Sequence, residues 1–375
     1  MRVLSIGGTR PQFVKMAVIV QAFEAYNANH FGSVEHRLLH TGQHYDPMMS
    51  EVFFKELNLP KPQTLLGVHS GTPGMQTAAM LAGVEADLMQ WTPDVVVVYG
   101  DTNSTLAAAI AAVKIHIPLV HLEAGLRSHD RHMQEEINRI VSDHISDILL
   151  VPTRRAMCEL QSEGLADRAV FVGDVMLDAV EHFANSDEPS STLAQLQLAP
   201  GEYALVTLHR AETTDVVSRL GDVLQALGEI HFPMILPIHP RLKHLLGMDG
   251  VALLRSIPHM HLIEPVGYLE MLRLEKNARF ILTDSGGVQK EAYFLGVPCL
   301  TMRNETEWVE TLHGDWNVLV GTRAATILPA VKKTLKRRTD MHEARRFASF
   351  GDGDAGRRSV EQIVNLVRKT SCVAY

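Results

Sequence analysis

Cysteine is scarce. The three that occur, Cys158, Cys299 and Cys372, are odd in number and far apart, so neither a disulfide framework nor a thiolate metal site is expected, in keeping with a reducing compartment. Basic charge is short as well: 35 lysines and arginines stand against 43 acidic residues, a net charge of −8. With the signs mixed along the chain, a nucleic-acid or anionic-membrane surface is excluded as the basis of function. An anionic ligand must instead be held by a local cluster of cations. No apolar run reaches the ~20 residues that span a bilayer. The chain opens Met1-Arg2-Val3-Leu4-Ser5-Ile6, straight into a strand pattern. The expectation is therefore a cytoplasmic protein with no secretory leader. A dinucleotide fingerprint is missing too. The first strand runs into Gly7-Gly8-Thr9-Arg10-Pro11, where the glycine spacing is wrong and a proline occupies the turn, so no nicotinamide cofactor is expected.

What is present is alternation. Short apolar runs alternate with longer helical patterns, the signature of parallel sheets covered by helices. The first half predicts strands near 3–6, 36–39, 95–99, 119–122, 148–151 and 170–172, with helices such as 14–26, 74–90 and 104–114 between them. The alternation restarts with strands near 204–208, 234–237, 261–263, 280–282 and 299–302. The polar, turn-rich stretch 185–192 reads as a linker or surface loop. A chain of 375 residues is too long for one core. The expected fold is α/β, with two Rossmann-like doubly wound domains facing a cleft: residues 1–175 and 176–355. The amphipathic tail 356–375 is expected to pack back on the first domain. Ligands of such sheets bind at the carboxyl ends of strands, so the loops after strands are where chemistry is sought.

The most informative loop is Thr283-Asp284-Ser285-Gly286-Gly287-Val288-Gln289-Lys290-Glu291, after the apolar run 280–282. A strand entering Ser-Gly-Gly and then a helix leaves backbone N–H groups at a helix start, where the dipole favours a phosphate. Glycines admit close approach, and Glu291, about a turn and a half in, is placed for ribose hydroxyls. The same residues also make an ordinary strand-to-helix turn. Thr207-Leu208-His209-Arg210 and Pro237-Ile238-His239-Pro240-Arg241 end neighbouring strands with a titratable ring and a cation; either His also fits a structural role. In the first half, Arg10 and Lys15 bring two cations to the mouth of the first strand, or are solvated charges. Asp101, in Gly100-Asp101-Thr102-Asn103-Ser104, either caps the next helix or faces the cleft. Glu123 closes an apolar strand on the same edge. Glu135 and Arg139, one turn apart on a predicted helix, are spaced to pair. Several carboxylates on one cleft suggest proton transfer.

Taken in order, the segments GGTRPQFVK, HTGQH, YGDTNSTLA, HLEAGLRS, EEINR, VGDVMLDA, TLHRAE, IHPR, LTDSGGVQKEA and TEWVE resemble the non-hydrolysing UDP-N-acetylglucosamine 2-epimerase family over nearly the whole length. The resemblance implies a glycosyltransferase B-type fold, a homodimer, and inversion at C2 of the sugar by elimination of UDP and re-addition to a 2-acetamidoglucal. It assigns Asp101, Glu123 and Glu135 to acid–base work, with Arg139 positioning Glu135 and His209 assisting the departing phosphate. It assigns Arg10, Lys15, Arg210, His239, Ser285, Gly286, Gly287 and Glu291 to binding the UDP portion. It implies no metal or nicotinamide.

Departures from the family pattern have consequences. Pro11-Gln12-Phe13 stands where many members have Pro-Glu-Ala, and Thr306-Glu307-Trp308-Val309-Glu310 where many have Thr-Glu-Arg-Pro-Glu. With Gly267-Tyr268-Leu269-Glu270-Met271, these look more like the branch acting on UDP-2,3-diacetamido-2,3-dideoxyglucuronate. UDP-GlcNAc is the leading expected substrate and that uronate the alternative, with Arg127, His129 and Arg131 as candidate carboxylate contacts or as solvated loop charges. A hydrolysing epimerase, a B-type glycosyltransferase and a silent sugar-nucleotide sensor are the further alternatives. Gln43 is present, but Asp46 and Met75 stand where allosterically activated members have Gln and Arg, so that regulation is not expected.

Overall fold

Strands buried on both faces read as continuous apolar runs rather than as alternating ones, and the valines of 95–99 are the clearest case, with no exposed surface at all. The computed structural model describes residues 1–43, 53–68, 71–184, 188–337 and 349–373. The chain divides into two units, Met1–Glu181 with Ala348–Tyr375, and His182–Phe347.

In the first unit, β1 (Arg2–Gly7), β2 (Glu35–His40), β3 (Thr64–Leu65), β4 (Val95–Tyr99), β5 (Leu119–Leu122), β6 (Ile148–Val151) and β7 (Ala169–Phe171) form one sheet in the order β3-β2-β1-β4-β5-β6-β7. The pairs are all parallel. One face buries Leu4, Ile6, Val96 and Val98 against Ala108, Ala109, Ala111 and Ala112 of the helix Asn103–Lys114. Four alanines on that face let the helix lie close to the sheet and cost little side-chain entropy. The helix Pro73–Trp91 adds Met80, Val84 and Leu88 at i, i+4 and i+8, its one buried stripe.

The second unit repeats the plan. Its strands β8 (Ala204–Thr207), β9 (Met234–Pro237), β10 (Met260–Ile263), β11 (Phe280–Thr283), β12 (Cys299–Thr301) and β13 (Asn317–Leu319) run in the order β10-β9-β8-β11-β12-β13, again parallel. Along β8 the pleat sends Ala204 and Val206 into one core and Leu205 into the other, so helices must cover both faces. Both sheets are doubly wound and Rossmann-like, the fold class the alternation implied. The strand order reverses between β1 and β4 and between β8 and β11; these are the switch points where such sheets open a crevice for ligands.

The tail helix Ala355–Val373 packs along the helix Arg10–Asn29 within the first unit. Val360, Ile363, Val364 and Val367 are buried at helical spacing. Gly356 lies so close to Val18 that a Cβ there would come 2.7 Å from its Cγ1, and its N–H donates to Asp178 at 2.7 Å.

The observed strands match the expected ones to within a residue or two. Sequence reading missed β3 and β13. They are two and three residues long, and most of their residues are only half-buried, too short for any periodicity to register.

Candidate active site

In the first unit the site residues gather where β1, β4 and β5 end. The helix Arg10–Asn29 starts at once after β1, opened by a capping box between Thr9 and Gln12. The Gln12 amide also accepts from the Gly8 N–H at 2.8 Å and donates to the Tyr99 carbonyl at 2.8 Å and the Thr105 hydroxyl at 3.0 Å. A glutamate carboxylate could not donate to the Tyr99 carbonyl, which gives this departure from the family pattern a reason. One turn on, Lys15 is buried and ion-paired with Glu123. Gly100, at φ 61°, makes room for the pair: a Cβ there would stand 3.2 Å from Lys15 Nζ and 3.3 Å from Glu123 Oε1. Glu123 itself has φ 70°, a left-handed backbone that costs about 1–3 kcal/mol and is typical of functional positions. Bonds of 3.1 Å from its own N–H and that of Ala124 to the Leu150 carbonyl hold it there.

Asp101 does not cap the following helix. Thr102 does, its hydroxyl accepting from the Thr105 N–H at 3.4 Å. The Asp101 carboxylate pairs instead with Arg139. Arg139 also reaches Glu136 at 3.1 Å. Sequence spacing pointed to Glu135 as its partner; Glu135 lies exposed on the first turn of the helix Gln134–Ile145, while Glu136 is 1% exposed. Glu136 accepts from the Ser128 N–H and hydroxyl and from the His129 N–H, each at 2.9 Å. Burial raises its pKa, but these bonds and the Arg139 charge outweigh it and hold the carboxyl below its usual value.

Behind this edge lies a buried polar network. His121 on β5 bonds through Nδ1 to Asp143 and through Nε2 to the Gly100 carbonyl, both at 2.7 Å. Both partners are acceptors only, so both ring nitrogens donate. Asp143 also accepts from Arg127 at 2.7 Å and the Gly125 N–H at 3.1 Å. Burial raises its pKa, but His121 and Arg127 outweigh this and hold it low. Arg127 is spent on Asp143 and Glu163, its side chain 1% exposed; it is not a solvated loop charge. His129 and Arg131 are exposed or nearly so. Arg10 lies over the Phe53 ring at 5.2 Å. Gln43 accepts from the Ser104 N–H and hydroxyl at 3.0 and 2.7 Å. Met75 is exposed, and Asp46 lies outside the described residues.

In the second unit the residues gather at the β8–β11 switch point. Asp284, fully buried, accepts from the N–H groups of His209 and Arg210 at 2.9–3.1 Å and so fixes the loop after β8. His209 stacks on His239 with centroids 5.1 Å apart. Burial, with Arg210 and Arg241 adding to it against Asp284, lowers the His209 pKa and favours the neutral ring. His239 caps its own helix, Nδ1 accepting from the Arg241 N–H at 3.2 Å. Ser285 caps the helix Gly286–Leu295. Among the described residues, outside its own helix backbone, only the Ser285 hydroxyl comes near the missing Cβ of Gly287, at 3.9 Å, which leaves room for a ligand. Glu291 is 7% exposed; burial pushes it up to about 7, against the Tyr268 hydroxyl and Lys290. Glu275, fully buried, is pushed well above its ordinary value by burial and by Glu291. Lys290 lies 3.7 Å from the Trp308 ring centroid, a cation–π contact. Among the described residues no group of three or more His, Cys, Asp or Glu is placed to hold a metal ion, and no helix is long and apolar enough to cross a membrane.

The family model described as UDP-N-acetylglucosamine 2-epimerase matches residues 27–364. The chain belongs to the UDP-N-acetylglucosamine 2-epimerase family. The chain is thus an isomerase by family. A relative from Methanococcus maripaludis, named as a homologue of UDP-N-acetylglucosamine 2-epimerase, is 44% identical over 98% of this chain and all of its own. The UDP-2,3-diacetamido-2,3-dideoxy-D-glucuronate 2-epimerase of Pseudomonas aeruginosa is 43% identical over 98% of this chain and all of its own. The crystal structure of the Methanocaldococcus jannaschii UDP-GlcNAc 2-epimerase in complex with UDP-GlcNAc and UDP superposes with TM-score 0.87 at 40% identity, covering 97% of this chain and all of that one. The epimerase-family architecture, glycosyltransferase B-type, is therefore that of this chain.

Sequence reading missed Gln12, His121, Glu136, Asp143, Glu275, Asp284 and Glu307 as contributors. Asp284 carried a signal, being a carboxylate between a buried strand and Ser-Gly-Gly. Gln12, His121 and Glu275 sit on apolar strands or helix faces, Glu136 sits beside a residue of the same type, and Asp143 and Glu307 belong to polar stretches with no spacing that marks them.

Proposed function

We propose that the chain interconverts UDP-N-acetylglucosamine and UDP-N-acetylmannosamine, taking the UDP portion mainly on residues of the second unit and using carboxylates of the first for proton transfer. A carboxylate removes the C2 proton; the C–H electron pair forms the C1=C2 bond. The C1–O bond to UDP breaks as that double bond forms, its electron pair passing to the phosphate. UDP returns to C1 while a proton reaches the opposite face of C2. The sum is an isomerisation and needs no oxidant or reductant. The observation that carries this reading is the set of carboxylates with individual cations at one strand edge, Glu123 with Lys15 and Asp101 with Arg139. Glu135, exposed on the first turn of the neighbouring helix, is the third candidate acid–base group. Inversion needs one group to take a proton and another to return it. His209 assists the departing phosphate, whose developing charge must be stabilised; Arg10, Arg210, His239, Ser285, Gly286, Gly287 and Glu291 hold the nucleotide. A cytoplasmic homodimer in surface-polysaccharide synthesis belongs to the same proposal, supported by the family resemblance.

The second reading is the same chemistry on UDP-2,3-diacetamido-2,3-dideoxyglucuronate, favoured by the 43% identity to the Pseudomonas enzyme. Competition between the two sugars in one tube decides: a higher kcat/KM for UDP-GlcNAc supports the first reading, and the reverse order establishes the second.

A further inference from the structure

The start of the helix Gly286–Leu295 already holds an anion. A Cβ on Gly286 would come 2.6 Å from Oε1 of Glu307, 3.4 Å from Nη2 of Arg210 and 3.6 Å from Nε1 of Trp308. The Glu307 carboxylate thus rests over the first residue of the helix. Arg210 lies 3.5 Å from one of its oxygens and Arg303 3.0 Å from the other. Its side chain is 8% exposed. A carboxylate held over a helix start by two guanidinium groups has the environment of a bound phosphate. Lys290, behind the Trp308 ring, adds further positive charge. Arg303 is 6% exposed, and its Nε has no hydrogen-bond partner among the described residues, so this guanidinium has donor capacity beyond what Glu307 uses.

We infer that Glu307 is a built-in substitute for phosphate, filling the diphosphate seat of the second unit until a nucleoside diphosphate displaces it. The inference rests on the proposed reading of that seat as the UDP site. Two anions cannot share it without strong like-charge repulsion, so binding exchanges the carboxylate for the β-phosphate on Arg210 and the helix start. Between turnovers Glu307 keeps the buried Arg303 paired; an uncompensated buried charge there would be costly. The same contact weakens the nucleotide, because each binding event must first break it. Glu307 therefore sets affinity, and product release is eased by its return.

The test is calorimetric titration of UDP into the full chain, the E307Q variant and the E305Q variant, which removes a neighbouring exposed charge. Gln keeps the size and an acceptor for Arg303 but removes the competing charge. E307Q is expected to bind UDP about tenfold tighter than the parent, with E305Q unchanged. E307D, which retracts the carboxylate by one carbon, is expected to fall between them and serves if E307Q does not fold. UDP binding that is equal or weaker in E307Q and E307D, with the parent still binding UDP, overturns the inference while leaving the UDP site standing. A parent chain that does not bind UDP removes the UDP reading of the seat and the inference with it.

Discussion

Lys15 and Glu123 form a buried ion pair, each side chain 7% exposed, contributed by the helix after β1 and the residue after β5. Only β4 lies between those strands in the sheet, and Gly100 at its end supplies the space in which the pair meets. A buried pair of this kind is weak evidence for stability, because desolvation offsets its attraction. Its place at a strand edge, on a residue with left-handed backbone, points to function.

Removing the Glu123 charge while keeping its shape should therefore separate chemistry from binding. The variant E123Q is expected to lose about 10²–10⁴ in kcat and to keep the parent's UDP affinity, since Glu123 is not among the residues proposed to hold the nucleotide. Steady-state kinetics and UDP titration check this together. A change in UDP affinity with little change in kcat would place Glu123 in binding.

His121 ties the same edge from behind. Both its ring nitrogens donate, to Asp143 and to the carbonyl of Gly100, beside Asp101. Replacing it with Leu leaves Asp143 with less compensation in a site without solvent, and should destabilise the fold by about 3–5 kcal/mol. Denaturant unfolding measures this. An H121L variant as stable as the parent would show that the network is not needed to hold the strand edge.

Glu291 gives a pH dependence with a definite sign. Its folded pKa is raised from 4.5 to about 7, so between those values the folded state binds more protons than the unfolded one. Stability from this group is full below about pH 4.5 and is lost as pH rises through about 7. In E291Q the decline across that window should flatten. Denaturant midpoints measured from pH 5 to 8 for both proteins test it, and parallel curves would show that Glu291 does not titrate there. Glu275 is shifted in the same direction, so some slope should persist in the variant.

The strands were legible because runs such as 95–99 and 280–282 are apolar without interruption, a pattern that only a strand covered on both faces tolerates in so few residues. The loops that carry Asp101, Glu123, His209 and Ser285 followed from those strands, since ligands of doubly wound sheets sit at carboxyl ends. The partners of these residues were less legible. Glu135 and Glu136 are adjacent, and about 100° of helix rotation separates their side chains. Sequence spacing pairs Arg139 with either one. The fold buries Glu136 because the loop after β5 turns the N–H groups of Ser128 and His129 towards it. His121 and Glu275 sit within otherwise apolar faces, where a single polar residue leaves no mark on periodicity. Their roles appear only when elements distant in sequence meet, as with Asp143 or Glu291.

The measurement that bears most directly on the proposed chemistry is proton NMR of UDP-GlcNAc with the purified chain in D2O, following the C2 proton and the anomeric signals. Proton removal and return at C2 exchanges that hydrogen with solvent, so the C2 signal is expected to disappear as UDP-ManNAc resonances grow in carrying deuterium at C2. UDP-ManNAc formed with its C2 proton retained would contradict elimination and re-addition as the route of inversion.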